Sequence, residues 1–329
     1  MSALAPTLEA FFTERLMHQR QASSNTIAAY RDGWRLLLGF AQERTGKEPY
    51  ELDLADLDAG LISEFLTNLE TERHNSTRTR NARLAAIRSF FRFASLRHPE
   101  HAALIARVLD IPTKRCQRAV VCYLSEAESD ALVASPATQT WCGRRDRVLL
   151  AVAVQTGLRV SELTGLRNGD VELGTGAHVR CLGKGRKARS TPLRSDVVGL
   201  LRAWMKERQG GPDDPLFPTQ RGTPLTRDAV GALVDKHAAT AARCQASVST
   251  KRVTPHVLRH TCAMALLARG VDRSVIAMWL GHERLDTVSI YTHADMSIKE
   301  RALARTRPLH VKPGRYQPRD RLLAFLSSL

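Results

Sequence analysis

Apolar side chains recur at three- and four-residue intervals through the first hundred positions, the spacing of amphipathic helices. Leu8, Phe11, Phe12 and Leu16 share one such face. Ser24 stands where a cap would open a second helix, whose inner face carries Ile27, Tyr30, Trp34, Leu37 and Leu38. Leu61, Ile62, Phe65, Leu66 and Leu69 mark a third helix. A fourth places Leu84, Ile87, Phe90 and Phe91 on one side and Arg78, Asn81, Arg88 and Arg92 on the other. Such a basic face suits either solvent or a duplex, and the lack of acids on it favours DNA.

The periodicity fades between His98 and Tyr123, where Pro99, Pro112 and the basic residues Lys114, Arg115 and Arg118 stand, and it resumes after Ser125. This divides the chain into a helical unit over 1–110, a linker over 111–123 and a second unit over 124–310, followed by a tail over 311–329. In the second unit the pattern predicts helices near Leu124–Ala134 and Arg145–Gln155, a stop at Gly157, and a helix through Arg159–Leu166. Short strands follow at Val171–Leu173, Val179–Leu182 and Arg189–Leu193, the last two flanking Gly183-Lys184-Gly185 as a tight turn, and the remainder reads as helix. The fold class is therefore mainly α with a small β-sheet.

Charge changes this picture most. The 329 residues carry a formal net charge of +16, a field that draws in polyanions, above all nucleic acid. No apolar run is long enough to cross a bilayer, and the first fifteen residues include acids instead of a basic segment followed by an apolar one. Cys116, Cys122, Cys142, Cys181, Cys244 and Cys262 form no C-x-x-C pair, which suits reduced thiols in a cytoplasmic protein better than a disulfide framework or a zinc site.

Four stretches of the second unit carry the chemistry: Thr156-Gly-Leu-Arg-Val-Ser-Glu-Leu163, Gly183-Lys-Gly185, His256-Val-Leu-Arg-His260, and Leu280-Gly-His282 followed by Tyr291-Thr-His293. In this order they resemble the phage-integrase, or tyrosine recombinase, family, and the likeness extends to the helical first unit, which looks like that family's SAM-like core-binding domain. The resemblance implies a C-shaped clamp on DNA and a nucleophilic tyrosine at Tyr291. It also implies two arginines at Arg159 and Arg259, a hairpin lysine at Lys184, and histidines at His256 and His282. Its partners would be double-stranded DNA and further recombinase subunits, in a tetramer on paired sites. The activity implied is strand cutting and rejoining through a 3′-phosphotyrosine link, without ATP, metal or other cofactor.

The reaction itself asks for these residue types. Transesterification at a phosphodiester builds charge on the non-bridging oxygens, which guanidinium forks match in geometry and sign. Glu162, one turn after Arg159, is placed to buttress it or simply to pair with it. A phenol, with a pKa of about 10, needs a base. Thr254 as cap and Pro255 as first helical residue put His256 at a positive helix end that favours the neutral, proton-accepting imidazole. His282 follows the helix stop at Gly281 and is placed to donate to a phosphate oxygen. Lys184 is the candidate acid for the leaving 5′-oxygen, with Arg186 and Lys187 as rivals or as phosphate contacts. His256 and His260 have the i,i+4 spacing of metal ligands but lack the glutamate of H-E-x-x-H and a third ligand.

Leu322, Leu323, Phe325, Leu326 and Leu329 would form an apolar helix face in the tail, docking on a neighbouring subunit or on its own domain. The stretch after Tyr291 lacks the His-Pro-Arg ending of the Xer group, which favours a mobile-element integrase or transposase over a resolvase of DNA multimers. A type IB topoisomerase would share the chemistry but needs no core-binding unit. A catalytically inactive DNA-binding protein would not need the complete hexad.

Overall fold

Ser23, not Ser24, opens the second helix, because its extended backbone lets Oγ accept the Thr26 N–H at 3.3 Å while Ser24 already lies inside the first turn. The computed structural model describes residues 4–116, 121–183 and 188–281. The chain divides into two compact units, Met1–Arg118 and Ala119–Leu329.

In the first unit, α1 (Leu4–Ala10) continues into a π-helical stretch over Phe11–Gln19, where the sequence predicts an ordinary α-helix. The wider turn carries Phe11 and Leu16, five residues apart, into the same core, and the Arg20 N–H closes it on the Arg15 carbonyl at 3.0 Å. α2 (Ser24–Thr45), α3 (Ala59–Thr71) and α4 (Thr77–Ala94) surround that core. Trp34 meets Phe90 at a centroid distance of 4.6 Å, and Phe11 meets Phe90 edge-on at 5.6 Å.

A further helix, α5 (Ala102–Asp110), fills part of the span that the fading periodicity assigns to irregular chain. Its two prolines punctuate instead of unravelling: Pro99 starts the turn leading into the helix, Pro112 follows its end, and Ile105, Val108 and Ile111 are buried between them.

The second unit is built on α6 (Glu126–Ala134) and α7 (Trp141–Thr156). Every residue from Val148 to Ala153 is buried, so α7 is a central helix apolar around its circumference. The short α8 (Val160–Thr164) leads to an antiparallel sheet of order β1-β2-β3, formed by Val171–Glu172, His178–Leu182 and Ala188–Pro192. Leu182 faces Ala188 and Cys181 faces Arg189, so 184–187 join two paired strand ends.

α9 (Ser195–Arg208), α10 (Arg227–Ala241), α11 (Pro255–Ala268) and α12 (Arg273–Leu280) complete the described part. Between α9 and α10 the chain is not helical, contrary to the reading of the remainder as helix. Gly210, Gly211, Pro212, Pro215, Pro218 and Pro224 interrupt it, and isolated bridges pair Arg167 with Pro215 and Pro218 with Pro224.

A buried polar link fastens α7 to α10. Asp146 accepts two hydrogen bonds from Arg145, at 2.9 and 2.7 Å, and meets His237 Nε2 at 3.0 Å. Burial pushes the Asp146 carboxyl up, but His237 and Arg145 outweigh it and hold it below the usual carboxylate range.

Candidate active site

α7 ends at Gly157 in the left-handed region, φ +63°. A Cβ there would lie 2.6 Å from Leu280 Cδ2 and 3.0 Å from Cys262 Cβ, so glycine lets the ends of α7 and α12 close on α11. Cys262 is itself inert at this junction: burial pushes its thiol up to about 12. Two residues on, Arg159 is extended, φ −66° and ψ 151°, and caps α8. Glu162 reaches back to accept the Arg159 backbone N–H at 2.8 Å, which fixes the turn from which the Arg159 side chain leaves.

The Arg159 guanidinium donates through Nη1 to Glu162 Oε1 at 2.8 Å and through Nη2 to the Gly281 carbonyl at 3.1 Å. Arg259, on α11 and almost fully buried, donates through Nη1 to the Gly157 carbonyl at 2.7 Å and through Nη2 to the Leu280 carbonyl at 2.5 Å. Two arginines one hundred positions apart thus converge on adjacent carbonyls at the end of α12. Carbonyl acceptors hold a guanidinium in place without cancelling its charge, which leaves a positive centre for an anion.

α11 begins as its sequence suggests. Thr254 Oγ1 accepts the Val257 N–H at 3.3 Å and Pro255 is the first helical residue, so His256 stands exposed in the first turn. Its ring meets that of His260 edge-on at 4.2 Å. Burial, with His256 and Arg259 nearby, pushes the His260 imidazole down to about 4, so His260 is neutral at physiological pH.

Arg189 was not among the candidates from the sequence. It lies on β3 on the same inward-facing side as buried Thr191, and both its arms reach Glu162, Nη1 to Oε1 at 3.0 Å and Nη2 to Oε2 at 2.7 Å. Strand alternation was the available signal, since it turns this one charged residue inward beside Thr191. Burial pushes the Glu162 carboxyl up, but Arg189 and Arg159 outweigh it and hold it below the usual range.

Lys184, Arg186, Lys187, His282 and Tyr291 lie outside the described residues, as does the apolar tail. Of the candidate DNA contacts, Arg78, Arg92 and Arg115 are exposed. Asn81 and Arg88 tie the chain after α5 to α4, and Lys114 ties it to α3. Asn81 Nδ2 donates to the Lys114 carbonyl at 2.8 Å, Arg88 donates to the Ile111 carbonyl, and Lys114 Nζ pairs with Glu70 at 2.5 Å. No group of three or more His, Cys, Asp or Glu able to hold a metal occurs among the described residues, and no described helix is long and apolar enough to cross a membrane.

Residues 123–297 match the phage integrase family, and residues 10–98 match the phage integrase N-terminal SAM-like domain. The chain belongs to the phage integrase family. Among its relatives, the integrase/recombinase y4rC of Sinorhizobium fredii is 52% identical over 328 residues, covering 100% of this chain and 99% of the relative. Tyrosine recombinase XerD of Pseudomonas putida is 33% identical, covering 95% and 98%.

The fold is shared with solved recombinases. The site-specific recombinase XerH bound to its difH substrate has a TM-score of 0.69 at 23% identity, covering 87% of this chain and 81% of that one. The Tn1549 transposon integrase in complex with transposon right end DNA has a TM-score of 0.70 at 18% identity, covering 90% and 98%. A SAM-like unit followed by a catalytic unit is the tyrosine recombinase architecture, and as a tyrosine recombinase the chain is a DNA strand-transferring enzyme.

Proposed function

We propose that this tyrosine recombinase cuts and rejoins double-stranded DNA at specific sites through a covalent link between Tyr291 and a 3′-phosphate. The Tyr291 oxygen forms a bond to phosphorus, the bond from phosphorus to the 5′-oxygen breaks, and the phenolic proton passes to His256. Lys184 protonates the departing 5′-oxygen, Arg159 and Arg259 hold the non-bridging oxygens, and His282 donates a further hydrogen bond to them. Attack by a 5′-hydroxyl of the partner strand reverses the step, so the ester conserves the bond energy and neither ATP nor a metal ion is called for.

The convergence of Arg159 and Arg259 on the Gly281 and Leu280 carbonyls carries this reading, because His282 follows directly in the chain. Arg78, Arg92 and Arg115 would hold the DNA backbone, with Arg186 and Lys187 beside the hairpin. Asn81, Arg88 and Lys114 fix the chain that follows α5, while Arg88 and Lys114 also offer charge, and Asn81 an amide hydrogen bond, to the same backbone. The working assembly is a tetramer on two sites, in the cytoplasm. The full-length likeness to an integrase/recombinase at 52%, against 33% for XerD, supports integration, excision or transposition of a mobile element over resolution of DNA multimers.

The test is a set of duplexes nicked at successive positions, their sequence selected by binding from a random duplex library. Cleavage in excess chelator should leave the 5′-labelled strand on the protein and release a short fragment with a 5′-hydroxyl. Attachment to a 5′-phosphate, or no adduct on DNA that the protein binds specifically, would refute the proposal.

A further inference from the structure

Arg189 holds the same carboxylate as Arg159, and holds it more completely. Glu162 accepts four hydrogen bonds, one from the Arg159 backbone, one from the Arg159 guanidinium and two from Arg189, which fills the acceptor sites of a carboxylate. The fork comes from Arg189, whose side chain is 11% exposed, whereas Arg159 gives one arm and stays 33% exposed. Arg189 also closes the end of α12: a Cβ on Gly281 would lie 2.6 Å from Arg189 Nη1, and Gly281 itself sits at φ +63°. One guanidinium on β3 therefore touches α8 and the turn that carries Gly281, and its strand begins where the segment holding Lys184 ends.

We propose that Arg189 is a positioning residue that keeps Arg159 available to the scissile phosphate. The inference rests on the assignment of Arg159 to that phosphate. Bidentate pairing is the preferred geometry of a guanidinium with a carboxylate. Without Arg189, Glu162 would have only Arg159 to neutralise it. The carboxylate would then turn to take both arms of Arg159, drawing Nη2 away from the Gly281 carbonyl and cancelling the charge that phosphate needs. With Arg189 present, the trio of two guanidiniums and one carboxylate keeps a net positive charge, and the surplus lies on the more exposed member.

The experiment measures single-turnover cleavage at saturating protein on the library-selected site, together with DNA affinity and thermal midpoint. Arg189→Met is expected to bind DNA as the parent does and to cleave about 10- to 100-fold more slowly, short of the full loss of a preorganised donor. Arg189→Lys should restore only part of the rate, since an ammonium cannot form the fork. Adding Glu162→Gln to Arg189→Met should raise the rate again, because a neutral amide no longer sequesters Arg159, whereas Glu162→Gln alone should lower it. The defect should persist on a 5′-bridging phosphorothiolate, whose sulfur leaves without needing a proton.

A parent-like rate for Arg189→Met would overturn the inference, as would a double variant no faster than Arg189→Met. Rescue by the sulfur leaving group would also overturn it, by moving the defect to the proton donor. If Arg189→Met does not fold, a parent-like rate for folded Arg189→Lys overturns the proposal and a slowed rate with unchanged affinity supports it. Failure of the underlying site assignment looks different: the parent itself then gives no adduct that depends on Tyr291.

Discussion

Tyr291→Phe is expected to abolish the covalent protein–DNA adduct and leave specific DNA binding close to that of the parent. Removing one oxygen deletes the nucleophile without altering ring size or charge at neutral pH, so nothing in the electrostatics of DNA binding changes. The adduct signal should fall by at least ~1,000-fold, to background, since the attacking oxygen itself is gone. Denaturing gels of the trapped complex measure the first quantity, and mobility shifts on the same duplex measure the second. A persistent adduct in a protein that still binds would assign the nucleophile elsewhere.

Arg259→Ala should be nearly as damaging to the chemistry and should also weaken the fold. Losing one preorganised donor to a developing oxyanion costs on the order of 100- to 1,000-fold in rate. The same side chain satisfies the Gly157 and Leu280 carbonyls at the junction of α7, α11 and α12. Stripping a buried acceptor of its donor costs roughly 1–3 kcal/mol, so the catalytic unit should lose stability of that order or somewhat more. Arg259→Lys should recover part of the stability but little of the rate, because an ammonium is not a fork. Single-turnover cleavage paired with urea denaturation separates the two losses. A folded Arg259→Ala protein that cleaves at the parent rate would remove Arg259 from the phosphate site.

Most of the helices, the antiparallel pair β2 and β3, and the stretches holding Arg159 and Arg259 were legible because each depends on local chemistry. Thr254 and Pro255 announce the start of α11 whatever packs around it, and Gly157 announces the end of α7. What escaped was set by partners distant in the chain. α5 hides between two prolines, and its burial depends on a core laid down by other helices. Asn81 and Lys114 look like two separate polar residues until the fold hydrogen-bonds them to each other across thirty-three positions. Arg189 is the most instructive miss. Beside Arg186 and Lys187 it reads as one more basic residue; strand alternation turns it inward, but its partner Glu162, twenty-seven positions earlier, is supplied only by the fold.

The most direct test of the central claim is to locate the DNA-linked residue in the trapped adduct. After nuclease and trypsin digestion, mass spectrometry should find a nucleotide phosphate on the peptide Leu285–Lys299, with fragmentation placing it on Tyr291. A phosphonucleotide on any other residue, whether Tyr30, Tyr50, Tyr123, Tyr316 or a side chain of another type, would contradict the account.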